Sequence, residues 1–185
     1  MFDYLDRETA PAESLPLIER SIKTYHFLPK LHSVMAAAPA AYQAYLDTFA
    51  LFEHRTTLTP LEQQVVFQTA NYENACHYCL PGHTYIMKAA GMPKEVIDAL
   101  RTGNPIPDSK LETLRIYARR LIEKRGHLDH AELKEFLDAG YTRRQALEVL
   151  VGLAAKLLSN YTNGLAETDL DEPVKPYAWT PPSRR

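Results

Sequence analysis

The sequence predicts an all-α fold, and three observations carry that prediction. Apolar residues recur at three- and four-residue intervals, helix starts are written in capping residues, and no segment keeps a period of two long enough to make a strand. Short helices are expected at about 15–24, at 30–37, and at 39–53 behind Pro39. In "LTPLEQQVVFQTANYENA" Thr59 is the N-cap and Glu62 closes a capping box; Pro60 takes the first helical position, where a missing N–H costs nothing. A helix over 93–101 has Pro93 at its start and Gly103 behind it. In "DSKLETLRIYARRLIEKRG" Ser109 and Glu112 form the box, and Gly126 is the stop. Leu111, Leu114, Ala118, Leu121 and Ile122 make the apolar stripe of that helix. Another spans Asp129 to Gly140, with Leu133, Phe136 and Leu137 turned inward. The last begins at Thr142, with Gln145 three residues on. It is apolar on nearly every side from Ala146 to Leu158, so it is expected to be the central buried helix.

A chain of 185 residues, 45% hydrophobic and 24% charged, has the composition of one globular unit. The expected organisation is one compact multi-helix domain over 1–172 and a Pro-rich tail over 173–185. Four prolines within the tail exclude a helix there. Tyr177 and the single tryptophan, Trp179, offer area for docking, on this subunit or another, and docking and fraying both stay open. Lys+Arg 21 against Asp+Glu 23 leaves a net charge of −2 and no basic stripe, which argues against nucleic acid as a partner. The opening "MFDYLDRETAPAESLP" has acidic residues where a signal peptide wants a basic stretch and an apolar core. Nothing approaches the roughly 18 apolar residues of a membrane span. A cytoplasmic location is expected. In that reducing compartment a close pair of cysteines points to catalysis or metal binding rather than to a structural staple.

Both cysteines lie in "NYENACHYCLPGH". On a helix beginning near Asn74 or Cys76, residues 76, 79 and 83 stand at i, i+3 and i+7 and share one face. That spacing permits a disulfide between Cys76 and Cys79 and sets His83 one turn from Cys79. A helix N-terminus favours the thiolate, and a start near Cys76 places Pro81 just past the first turn. The pattern is that of a low-pKa nucleophile, a resolving thiol and a base. Buried filler is a competing reading, since free cysteine packs as a small hydrophobe. A zinc site is another; it has three ligands where a closed site needs four, and His77 points to a different face. A thioredoxin fold is excluded, because it needs a strand before the motif and a helix precedes it here.

The string "LTPLEQQVVFQTANYENACHYCLPGH" resembles the signature of the carboxymuconolactone decarboxylase superfamily, in its AhpD-like alkylhydroperoxidase branch. That branch has a capped helix followed by C-x-Y-C-x-x-x-H at the start of the next. The likeness continues through "LRTGNPIPDSKLETLRIYARRLI" and "LLSNYTNGLAETDLDEP" and covers about residues 15–175. It implies a compact helical fold assembling as trimers or hexamers, no cofactor, and thiol chemistry. By that resemblance Cys79 attacks a peroxide, Cys76 is the resolving thiol and proton relay, and His83 is the base. The relay of that branch also has a glutamate twelve residues before the first cysteine; this chain has Gln64, which cannot take a proton. Glu62 is committed to its capping box, and Glu73 is expected to be a solvated surface carboxylate, although a fold of the helix junction could bring it inward.

His77 could depress the thiol pKa by its charge, and Tyr78 could bond a substrate or simply pack. Asn160, Tyr161 and Asn163 read as the capped end of the long helix. His26, His32, His54, His127 and His130 read as surface residues. The expected function is a thiol peroxidase or thiol-disulfide oxidoreductase with a peroxide or disulfide substrate and a thiol reductant of unknown identity. The alternatives are a non-catalytic redox sensor or disulfide-exchange protein, which needs the same pair, and a decarboxylase-like lyase, which does not.

Overall fold

A computed structural model describes residues 2–182; the last three tail residues lie outside the described residues. Among the described residues there is no strand. The helices are α1 (Leu15–Tyr25), α2 (Lys30–Met35), α3 (Pro39–Arg55), α4 (Pro60–Glu73), α5 (Cys79–Ala89), α6 (Lys94–Thr102), α7 (Ser109–Glu123), α8 (His130–Asp138) and α9 (Arg143–Ala166). Short 3-10 turns at Ala12–Ser14 and Glu172–Tyr177 flank them. The expected capping boxes at Thr59 and Thr142 are both formed. The start of α7 differs from expectation. Asp108 is its cap, accepting from the Leu111 N–H at 2.9 Å, while Glu112 accepts from the Ile106 N–H at 2.8 Å and pairs with Arg115. Asp108 wins because its carboxylate precedes the first turn, leaving Ser109 inside the helix.

The central helix is α4, not α9: every residue from Glu62 to Asn71 is buried. Its sequence hides this, because it carries Gln63, Gln64, Gln68 and Asn71. Those amides are buried because they terminate other chain segments. Gln63 Nε2 donates to the carbonyls of Phe52 at 3.0 Å and Glu53 at 3.1 Å, where α3 ends. Gln68 Nε2 donates to the Leu80 carbonyl at 3.2 Å in the first turn of α5. One apolar cluster joins α4 to α6, α7, α8 and the start of α9; a second joins α1, α2 and α3 to both cysteines. Phe49 packs against both clusters, so the thiols sit at their junction.

Helix α9 has a buried face of small and polar residues, including Gly152, Ala155, Lys156, Ser159, Asn160 and Asn163. Leu147, Leu150, Leu157 and Leu165 are exposed, while Leu153 and Leu158 pack partly buried against the core. The tail, expected to be free of helix, makes one 3-10 turn and docks on its own chain. Trp179 Nε1 donates to the Arg101 carbonyl at 3.0 Å, and Arg101 Nη1 donates to the Tyr177 carbonyl at 3.2 Å. No helix among the described residues is long and apolar enough to cross a membrane.

The approach of α9 to α3 depends on Gly152, where a Cβ would lie 2.6 Å from Phe52 Cζ. Phe52 is fully buried, with its ring centroid 4.8 Å from that of Phe67, so it has nowhere to swing. Gly152→Ala is expected to cost about 1–3 kcal/mol by overpacking, read as a lower urea midpoint at constant slope. Helix propensity alone favours alanine by about 1 kcal/mol, so a more stable variant would overturn this account.

Candidate functional site

The site begins at the corner between α4 and α5. Ala75 adopts a left-handed backbone (φ 51°), and Cys76 N–H returns to the Asn71 carbonyl at 2.9 Å. That turn interrupts the helix, so α5 starts at Cys79, one turn later than the spacing suggested. The Cys79 N–H donates to Cys76 Sγ at 3.2 Å, making the first cysteine an acceptor for the helix that carries the second. Pro81 sits in the first turn of α5, where its missing N–H breaks no helical bond. Both thiols are buried and free. Cys79 is thus at the positive end of a helix.

Around Cys79 the side chains come from α4, α5 and α9. Asn163 Nδ2 donates to Cys79 Sγ at 3.2 Å and to the Ser159 carbonyl at 2.8 Å. His83 Nδ1 lies 2.8 Å from Gln64 Oε1, and His83 Nε2 lies 3.0 Å from Lys156 Nζ. An amide oxygen only accepts and an ammonium only donates, so His83 is the neutral Nδ1–H tautomer. Burial, and then the Lys156 charge, hold its pKa well below the usual imidazole range. Lys156 is 1% exposed and lies over the Phe67 ring at 5.2 Å.

Burial pushes the Cys79 thiol up. The bond from Cys76, the Lys156 charge, and the polar groups of Asn160 and Ser159 outweigh it, and the net direction is down. Cys76 moves the other way, through burial, its bond to Cys79 and the negative charge there. The two thiols are thus pushed in opposite directions, Cys79 towards its anion and Cys76 away from it.

Cys79, His83 and Lys156 line a cavity of about 310 Å³ whose other walls include Phe27, Tyr45, Phe49 and Tyr85. Asp171, just before the tail, and Pro173 and Val174 of the tail also line it. Asp171 is anchored by the Tyr78 hydroxyl and accepts from the Lys30 N–H at 3.1 Å. Cys76 borders a different groove, shared with Glu73, His77 and Tyr161. The two thiols thus lie against each other while each borders its own cavity.

Cys79 and His83 lie on α5 with Gln64 of α4 bonded to His83, while Cys76, expected on the same helix, lies in the corner before it. Glu62 stays in its capping box, bonded to the Thr59 N–H at 2.8 Å. Glu73 is half-buried in the Cys76 groove, its carboxyl raised first by burial. His77 bonds the Thr168 carbonyl at 2.9 Å. Asn160 and Asn163 are not caps, because α9 runs on to Ala166 and turns both inward. His26, His54, His127 and His130 are exposed, but His32 is buried, with Nδ1 2.7 Å from Ser21 Oγ among three tyrosine rings. Among the described residues no group of three or more His, Cys, Asp or Glu is disposed to hold a metal ion. Sequence reasoning passed over Lys156, although a lysine between Ala155 and Leu157 in an apolar run was the available signal.

No family model matches the chain, and no curated protein matches it. Solved structures do. One is an AhpD core, an uncharacterized peroxidase-related protein from Ralstonia eutropha, with TM-score 0.80 at 16% identity over 92% of each chain. The fold is AhpD-like. An uncharacterized peroxidase-related protein from Silicibacter superposes at TM-score 0.77 and 14% identity, covering 94% of this chain and 91% of its own. A variant of the debrominase Bmp8, in complex with 2,3,4-tribromopyrrole, superposes at 0.78 and 15%, covering 96% of this chain and 95% of its own. In this AhpD-like chain the corner after α4 carries both thiols.

His32, pushed down to about 3 by burial, and His83 are both neutral when folded but titrate near 6.5 when unfolded. The unfolded chain then takes up protons first. Stability is full above about pH 6.5 and falls as pH drops towards 3, by about 1.4 kcal/mol per pH unit for each histidine. Urea midpoints at stepped pH should show that slope, and His32→Gln should lose about half of it. An unchanged slope in the variant would refute the assignment.

Proposed function

We propose that the chain is a thiol-disulfide oxidoreductase of the peroxidase type, acting on organic hydroperoxides. The observation that carries this reading is Cys79, a thiol pushed towards its anion, opening onto an aromatic-walled cavity while Cys76 lies against it in protonated form. A cavity of about 310 Å³ is far larger than hydrogen peroxide needs. In the first step the Cys79 thiolate attacks the outer peroxide oxygen, the O–O bond breaks, and the departing alkoxide takes the Cys76 proton. In the second, Cys76 sulfur displaces hydroxide from the Cys79 sulfenic acid, and a solvent proton completes water. The hydroperoxide is reduced to alcohol and water, the dithiol oxidised to a disulfide, and an external thiol restores it. His83, expected as the base, is held between Gln64 and Lys156 and transfers no proton in these two steps. A second reading, bromine removal from a small aromatic ring, is favoured by those same aromatic walls and by the tribromopyrrole complex of Bmp8.

Reduced protein given one equivalent of cumene hydroperoxide should lose two hydrogens in the peptide spanning Cys76 and Cys79, faster than with hydrogen peroxide. Cys79→Ser should abolish the reaction, and Cys76→Ser should stop at a sulfenic acid captured by dimedone. Two free thiols after stoichiometric hydroperoxide would sink the peroxidase reading. Disulfide formation and bromide release with 2,3,4-tribromopyrrole alone would favour the second.

The outward leucines of α9 support a homo-oligomer, trimer or hexamer. Leu147 is 67% and Leu165 73% exposed, with Leu150, Leu157 and Tyr161 between them on the same face. Sedimentation at micromolar concentration should give several multiples of 21.0 kDa, and Leu150→Glu with Leu157→Glu should lower the mass. A monomeric wild type would refute the assembly.

A further inference from the structure

Lys156 is a fully buried ammonium, and no carboxylate among the described residues lies within ion-pair distance of it. Glu53 on α3 feels its charge but makes no ion pair with it and does not line the cavity. A buried charge without a counter-charge is costly, so a structure that keeps one supplies an anion nearby. The groups facing the cavity leave one candidate. Tyr45 on α3 and Tyr78 before α5 stay protonated, pushed up first by burial. His32 on α2 and His83 on α5 are neutral. Asp171 is taken by the Tyr78 hydroxyl and the α2 N-terminus. Cys79 is what is left, sharing the cavity with Lys156.

His83 cannot ionise Cys79 from its resting position. Its Nδ1 proton is given to Gln64, and its Nε2 lone pair is filled by Lys156. Where the AhpD-like relay has a carboxylate, this chain has an uncharged amide, and a cation stands at the other end of the imidazole. We propose that Lys156 is the counter-ion of the Cys79 thiolate, and that it thereby makes the Cys76–Cys79 disulfide an oxidising one. This rests on the dithiol reading above. The couple is thiolate plus thiol plus glutathione disulfide plus one proton, in equilibrium with protein disulfide plus two glutathione thiols. Two electrons pass from the protein sulfurs to glutathione disulfide. Lys156 stabilises only the reduced side, where the negative charge exists, and is left uncompensated when the disulfide forms. A stabilised thiolate therefore pulls the equilibrium towards the dithiol.

The test is alkylation of Cys79 in the reduced protein by iodoacetamide, followed by mass spectrometry from pH 4 to 10, with folding checked by circular dichroism. Wild type should show a midpoint below the ordinary thiol value of about 8.5. Lys156→Met should move that midpoint up by about one to three pH units, with the limiting rate at high pH unchanged. Lys156→Gln keeps a donor for His83 without the charge and should shift in the same way; it also serves if the Met protein does not fold. A merely structural lysine would alter rates without moving the midpoint. In glutathione buffers the uncharged variants should favour the disulfide at least tenfold more than wild type, about 30 mV for this two-electron couple. A folded variant with an unmoved alkylation midpoint, or an unmoved glutathione equilibrium, overturns the proposal. Neither measurement uses a peroxide, so inertness towards hydroperoxides would remove the peroxidase reading and leave this result standing.

Discussion

Polar side chains buried between α4 and α9 must be hydrogen-bonded, and that requirement holds the molecule in its arrangement. Gln63 terminates α3, and Gln68 terminates the first turn of α5. Asn71 Nδ2 donates to Gln68 Oε1 at 2.8 Å, and Asn160 reaches Asn71 at 2.9 Å from α9. Gln68 meets the Leu80 carbonyl, and the Asn71 carbonyl accepts from the Cys76 N–H, only because the corner after α4 folds back as it does. The same network therefore sets the positions of Cys76 and Cys79. Helix α9 is tied to this layer through Asn160, which reaches both Asn71 at 2.9 Å and Asn74 at 3.0 Å.

The corner separates two roles that the spacing alone makes look equivalent. Cys79 stands at a helix start, with donors from Asn163 and a cation across the cavity. Cys76 accepts one backbone N–H and faces a groove bordered by the half-buried Glu73. Burial and the neighbouring charges thus push the two thiols in opposite directions, Cys79 down and Cys76 up. Gln64 fits this arrangement. A carboxylate there would draw a proton onto His83 and compete with Cys79 for the charge of Lys156, whereas an amide oxygen holds the ring without changing its charge.

Helix α9 shows how a single element can serve two surfaces. Its inner face is built from Gly152, Ala155 and Ser159, small enough for α3 to come close, and from the polar residues of the site. Four of its leucines are displaced to the outer face, where Leu51 of α3 is also exposed. A long helix that is apolar all round reads as buried; here Ala146, Val149 and Ala155 are in the core while Leu147, Leu150, Leu157 and Leu165 face away from it.

Element positions were legible from local chemistry. Thr59 with Glu62, and Thr142 with Gln145, mark their helices because capping is decided by residues a turn apart. The cysteine spacing pointed to a helix start near the thiols, but the break at Ala75 and the contact of Gln64 with His83 came only with the structure. What the sequence could not decide is which helix lies at the centre. Burial of glutamine depends on distant carbonyls, and those are supplied only when α3 and α5 end against α4. His32 and Asn163 were misread for the same reason: a polar side chain looks exposed, or looks like a cap, until its partner from another element is in place. Lys156 is the clearest case. Its position along α9 is local information, but its meaning comes from a thiol 77 residues earlier in the chain, across a cavity that only the tertiary fold creates.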